Sequence, residues 1–275
     1  MENEKVKITK DKETYLPTVY GKVVDSHTQN PILGDKYAAE ALSKIDFDFN
    51  KIYVKGSEIS VAIRAKQLDG WAREFLKANP TATVLHMGCG LDARVFRIDP
   101  PATVRWYDVD MPDVIDIRRK IYPERHDYQM IGTSVTDPHW LDQIPGDRPV
   151  LVVAEGLMSY LTEKDVVDLF KRITEKFPHG DIIFDVHSGL MNWVLNRALA
   201  HSKVGYSLHW SMGDPHELEK QVPRLKLVDA VPFLTLPELI ERMSTAASRS
   251  QKIIGGMLMN LGSYKRLIRH CRYRF

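Results

Sequence analysis

The feature that most constrains this chain is an apolar run at 83–87 that breaks at once into Gly88-Cys89-Gly90. That is the signature of a buried parallel strand that turns sharply and lets its backbone approach a ligand. Eighteen residues after Gly90, a second apolar run ends in acid, at Asp108 and Asp110. A glycine turn after one strand and a carboxylate at the tip of the next suits a nucleoside, because a carboxylate accepts hydrogen bonds from a ribose diol.

The alternation continues downstream. Strands are expected at 103–107, 128–131, 150–154, 181–186 and 225–231, with a last one at 261–275. Helices are expected at 92–98, 112–122 (opened by Pro112) and 163–177, and another opens at Pro237. Strands alternating with helices argue for an α/β fold with a mostly parallel sheet and right-handed crossovers. The final strand is expected at an antiparallel closing position. Upstream, 5–12 reads as a solvated arm, 15–42 as short helices and turns, and 58–77 as a helix carrying Arg64 at the edge of its apolar stripe. The domain reading is an N-terminal helical extension at 1–79 and a Rossmann-like core at 80–275. A helical lid is expected at about 189–222, rich in Trp193, His201, Tyr206, His209 and Trp210. Gly255-Gly256 reads as a flexible joint.

Composition narrows the function. A net charge of +2 is too small to argue for nucleic acid, and no uninterrupted apolar stretch is long enough to span a bilayer. The N-terminus carries no apolar signal core, and Cys89 and Cys271 suggest neither a disulfide framework nor a zinc site. A cytoplasmic setting without a metal is expected. Oligomeric state is not legible.

Two cofactors suit the glycine turn and acid: a nicotinamide dinucleotide and S-adenosylmethionine. Asp92 stands at the helix start where a dinucleotide would set its pyrophosphate, and Ala93 occupies the place of a third glycine. Two like charges at ~4 Å repel by about 1–4 kcal/mol, depending on screening. With Asp92 read as a helix N-cap, the acid favours the cationic methyl donor. The competing readings are an NAD-dependent oxidoreductase and a donor-binding protein without turnover.

Four segments in order, 84–94 (VLHMGCGLDAR), 106–112 (WYDVDMP), 134–140 (SVTDPHW) and 152–161 (VVAEGLMSYL), resemble the leucine carboxyl methyltransferase family. They are most similar to its bacterial branch, which includes tetracenomycin-type polyketide O-methyltransferases. The resemblance implies a class I S-adenosylmethionine-dependent methyltransferase fold with a seven-stranded sheet. It also implies an O-methyltransferase acting on a carboxylate or hydroxyl of a small polyketide-like acceptor. Carried over residue by residue, Gly88 binds the donor's amino-acid part through its backbone, beside Gly90. Arg64 pairs with the donor carboxylate, and Asp110 takes the ribose hydroxyls with Asp108 next to it. Ser134 and Val135 flank adenine, where family members often carry an acid followed by leucine. Glu155 faces the ammonium or sulfonium.

A carboxylate acceptor is already a nucleophile at neutral pH, whereas a phenol, with a pKa of about 10, benefits from a base. His187, directly after a strand, is the first candidate base and His209 the second. Tyr160, Trp193 and Trp210 are candidates to line an aromatic acceptor's pocket.

Overall fold

The computed structural model describes residues 5–7, 16–54, 56–200, 207–246 and 261–275. A mixed seven-stranded sheet forms its centre, built from β3 (Thr83–Met87), β4 (Arg105–Asp110), β5 (Tyr128–Gly132), β6 (Val150–Ala154), β7 (Gly180–His187), β8 (Lys226–Pro232) and β9 (Ile268–Arg274). Their order is β5-β4-β3-β6-β7-β9-β8, and only β9 runs antiparallel to its neighbours. The closing strand therefore takes the expected antiparallel place. It is shorter than the 261–275 segment because α10 (Gly262–Lys265) precedes it.

The order explains where a ligand binds. The chain steps outward from β3 through β4 to β5, then returns to β6 on the other side of β3. The loops after β3 and β6 therefore part above the sheet, and the crevice at such a switch point is where open α/β sheets take ligands. Every residue of β3 and β6 is buried, which is why their sequences are almost continuously apolar. Helices α4 (Arg94–Ile98), α5 (Pro112–Ile121) and α6 (Glu163–Lys176) connect the strands, and Thr162 and Asp165 close a capping box at the start of α6.

The N-terminal segment is more ordered than the sequence suggests. Val6 and Lys7 form β1, paired in parallel with β2 (Ile45–Asp46), so they are not part of a solvated arm. Between these strands lie α1 (Leu16–Ser26) and α2 (Lys36–Ser43). The 22-residue α3 (Ser57–Ala78) buries Ala62, Leu68, Ala72 and Phe75 and carries Arg64 and Asp69 toward the crevice. In the expected lid, α7 (Gly189–Leu199) and α8 (His216–Gln221) are helical, and α9 (Pro237–Ala246) follows β8. Residues 8–12, His201, Tyr206 and Gly255-Gly256 lie outside the described residues. Among the described residues, no helix is long and apolar enough to cross a membrane.

One strand carries a buried weakness. His270 on β9 lies opposite Asp185, packs edge-on to Phe233 at 5.3 Å, and among the described residues neither ring nitrogen has a hydrogen-bond partner. Burial lowers its pKa to about 4, with Asp185 opposing and Arg64 assisting. Below about pH 6.5 the unfolded chain therefore takes up a proton that the folded chain refuses. Stability is fully present above that value and falls as the pH drops toward 4. His270→Leu is expected to remove about 2–3 kcal/mol of this acid-limb loss. Urea midpoints measured across pH 4.5–7 check it, and an unchanged acid limb would exclude His270 as its source.

Candidate functional site

A cavity of about 460 Å³ opens at the switch point. Its size is that of a site for one drug-sized ligand. Gly88 and Gly90 line it after β3, Asp110 at the end of β4, Glu155, Gly156 and Ser159 after β6, and Asp185 and His187 at the end of β7. The helical extension adds Thr18, Val19 and Lys22 from α1 and Arg64 from α3. Leu195, Leu199 and Leu208 supply an apolar wall from α7 and the segment beyond it.

The glycine turn is built for close approach. Gly88 has a φ of +59°, and an added Cβ would lie 2.9 Å from Leu157 Cδ1. Only glycine adopts that conformation at low cost while leaving the backbone open to a ligand. Gly156, φ +66°, allows the Arg64 guanidinium to come within 3.6 Å of where its Cβ would be. Asp110 is held by two backbone donors, Gly90 N at 2.7 Å and Met111 N at 2.7 Å. Burial raises its pKa while those two donors work against the rise. One hydrogen bond to each oxygen leaves lone pairs that a pair of hydroxyls can use.

Beside the turn lies a buried network of charges. Glu155 meets Arg64 at 3.2 Å, Lys22 at 3.4 Å and also Arg94. Burial opposes its ionisation, yet Lys22, Arg94 and Arg64 hold its carboxyl well below the usual range. Arg64 also reaches Asp185 at 3.5 Å, and Asp185 accepts from Gly156 N at 2.6 Å. Arg94 and Arg97 both bind Asp69, at 2.8 and 2.6 Å.

Asp92 differs from expectation. The residue at the N-cap of α4 is Ala93, without a side-chain cap, and the Asp92 carboxylate turns instead to Arg97 (2.9 Å), Lys22 (3.1 Å) and Arg94 (3.4 Å). Three cations compensate its charge, so it does not stand at the turn as a bare acid that would repel a diphosphate.

The cavity thus brings together Arg64, Gly88, Gly90, Asp110, Glu155, Tyr160 and His187. It does not include the others. Asp108 is fully buried beneath the turn, bound by Arg118, by His86 Nδ1 and Trp106 Nε1 at 2.9 Å each, and by Tyr128 Oη at 2.6 Å. Ser134 Oγ is engaged with Thr136, and the Val135 side chain joins the core. Trp210 is buried against Phe184, because the 207–212 segment tucks this ring under the sheet rather than over the crevice. Trp193 is exposed, with Arg197 over its ring at 5.3 Å, and the His209 side chain faces solvent. Lys22 is the residue the sequence hid. It is a lysine with 1% of its side chain exposed, in a helix whose pattern gives no hint of a binding role. Among the described residues, no group of three His, Cys, Asp or Glu could hold a metal ion.

A Rossmann-like sheet closed by an antiparallel strand, with a glycine turn after its central strand and an acid held against that turn, defines a class I S-adenosylmethionine-dependent methyltransferase. Residues 18–174 match the model of the leucine carboxyl methyltransferase family, and the chain belongs to that family. Over 277 residues it is 39% identical to the tetracenomycin polyketide synthesis O-methyltransferase TcmP of Streptomyces glaucescens, with 99% of each chain covered. It is also 38% identical over 250 residues to the S-adenosyl-L-methionine-dependent methyltransferase dpfgK of Gibberella zeae, covering 82% of this chain and 83% of that one. Among solved structures, a DUF574 family protein from Streptomyces avermitilis shares the fold, with a TM-score of 0.57, 12% identity, and coverage of 95% of this chain and 96% of that one.

Proposed function

We propose that the protein transfers the methyl group of S-adenosylmethionine to an oxygen, carboxylate or hydroxyl, of a small polyketide-like molecule. The observation that carries this reading is the division of the cavity's walls: charged on the α1, α3 and strand-tip side, apolar where α7 and Leu208 close it. A zwitterionic, cationic donor suits the first, and a largely apolar acceptor suits the second. The name of the Streptomyces glaucescens relative supports the polyketide and oxygen assignments, and that of the Gibberella zeae relative supports the donor.

In this reading Asp110 holds the ribose hydroxyls and Gly88 presents its backbone to the donor's amino-acid part. Arg64 and Lys22 meet the donor carboxylate, and Glu155 and Asp185 set a negative field for its cationic groups. Bound there, the donor supplies a methyl carbon activated by its positive sulfur. The chain's own contribution is to orient the two reactants and exclude water, and orientation alone is worth about 7–11 kcal/mol. A cytoplasmic setting fits Cys89 and Cys271, both free and buried.

Asp110→Ala tests the donor site. Losing hydrogen bonds to a charged group is expected to weaken S-adenosylmethionine binding by about 1.5–3 kcal/mol, roughly 10- to 150-fold. Titration calorimetry checks it. Unchanged affinity would remove Asp110 from the site, and a labelled-methyl screen over carboxylic acids and phenols tests turnover.

A further inference from the structure

One face of α7 carries Asn192, Leu195, Asn196 and Leu199, spaced i, i+3, i+4 and i+7, so amides and leucines share a stripe. Asparagine is a poor residue inside a helix, because its amide competes for nearby backbone groups. Here both amides are engaged elsewhere, on the segment 207–212. Asn192 Nδ2 donates to the Trp210 carbonyl at 2.7 Å. Asn196 makes two bonds to a single residue: its Nδ2 donates to the Leu208 carbonyl at 2.9 Å, and its Oδ1 accepts from Leu208 N at 2.8 Å. Two bonds from one planar amide fix the orientation of Leu208 as well as its distance. Leu195 and Leu199, which flank Asn196 on the helix, line the cavity, and so does Leu208.

The two ends of the segment are held differently. From His209 onward its backbone is tied to the turn after β6 and to the end of β7. His209 N and Trp210 N donate to the Ser159 carbonyl at 2.7 and 3.3 Å, and Met212 N donates to the His187 carbonyl at 3.0 Å. The side chains of Trp210 and Met212 join the core. Leu208 has no such tie. Among the described residues, the bonds of its backbone N–H and carbonyl are both made by Asn196. The place of Leu208 therefore hangs on one amide.

We infer that Asn196 is a positioning residue for the acceptor: it holds Leu208 beside Leu195 and Leu199, so that the three form one fixed wall against which the acceptor's apolar body rests. This rests on the methyl-transfer reading above, and it holds whether the acceptor presents a carboxylate or a hydroxyl. Asn196 does not itself line the cavity, so it acts through Leu208. The charged groups assigned to the donor stand on α1, α3 and the strand tips, away from this helix. Loosening Leu208 therefore lets the acceptor settle out of line with the methyl group while the donor keeps its contacts.

The test is a double-mutant cycle on Asn196 and Leu208, read with labelled S-adenosylmethionine. The acceptor is whichever member of a panel of aromatic carboxylic acids and phenols, one to three rings in size, the wild type methylates best. Leu208→Ala is expected to lower kcat/KM for that acceptor about tenfold, the size of effect that a missing apolar contact in a pocket produces. Asn196→Leu should lower it by a similar factor, mainly through KM, with S-adenosylhomocysteine affinity by calorimetry unchanged. The decisive reading is the double variant: if Asn196 acts through Leu208, adding Asn196→Leu to Leu208→Ala costs nothing further. Should Asn196→Leu fail to fold, Asn196→Asp carries the test. It keeps the volume and the bond from Leu208 N, but sets a carboxylate against the Leu208 carbonyl. Losses that multiply in the double variant, an unchanged acceptor KM, or a parallel fall in S-adenosylhomocysteine affinity would overturn the inference. So would a wild type that binds S-adenosylhomocysteine yet methylates no member of the panel. Failure of the wild type to bind S-adenosylhomocysteine at all would instead sink the methyl-transfer reading.

Discussion

Arg118→Met is expected to destabilise the protein by about 3–5 kcal/mol, because it strands the buried Asp108 carboxylate without its cation. Arg118 and Asp108 are both fully buried and form a direct ion pair. Methionine is of similar length, so lost volume contributes little. The same guanidinium donates to the carbonyls of Gly90 and Asp92, at 2.8 and 2.9 Å, holding the glycine turn from behind. Donor affinity should therefore fall along with stability. The pH dependence identifies the cause. In the wild type, burial works against ionisation of Asp108, but Arg118, His86 and Tyr128 lower its pKa to about 2. That stability is present above the ordinary carboxylate value and is lost as the pH falls through the folded one. Without Arg118 the Asp108 pKa rises above its unfolded value, so the folded variant gains by taking up a proton. The stability gap between the two proteins should narrow from pH 7 toward pH 4. Urea titrations at several pH values measure it, and a gap independent of pH would mean that lost packing, not the orphaned charge, is responsible.

Glu155→Gln should also act on both stability and binding. It removes the charge that Lys22, Arg64 and Arg94 share. Each cation keeps a second partner, in Asp92, Asp185 and Asp69 respectively. The stability loss should therefore sit toward the low end of the ~3–5 kcal/mol that breaking a buried pair involves. The Glu155 carboxyl is held well below its ordinary value, so its contribution is present above about pH 4.3 and lost in stronger acid. Thermal melts at pH 7 and calorimetry with S-adenosylhomocysteine separate the two effects. Wild-type stability and affinity together would show the network to be a bystander.

The strands were legible wherever burial on both faces forces an unbroken apolar run, as at Val150–Ala154, which the pattern located to the residue. The glycine turn was legible because a positive φ at Gly88 leaves its mark on composition. Contacts set by distant segments were not. Asp92 reads locally as a cap, but Lys22 arrives from 70 positions upstream and, with Arg97, claims its carboxylate. Asp108 and Asp110 look equivalent in sequence. Two residues apart, they share a face of β4, but Asp108 lies inside the strand where Arg118 covers it, whereas Asp110 is the last residue of the strand and reaches the crevice. Trp210 reads as a lid aromatic lining the acceptor's pocket because nothing local shows that its segment returns to pack on Phe184. The pairing of Val6 with Ile45 was illegible too, since a two-residue strand has no period to detect.

Lys22 has a practical meaning for anyone recombining this enzyme with its relatives. A crossover placed at the start of the sheet, near residue 80, looks natural in sequence. It would graft a foreign first helix onto a native crevice and leave the Glu155 and Asp92 carboxylates to find a new counterion. Hybrids joined ahead of Leu16 keep that lysine with its acids and retain the native wall of the cavity.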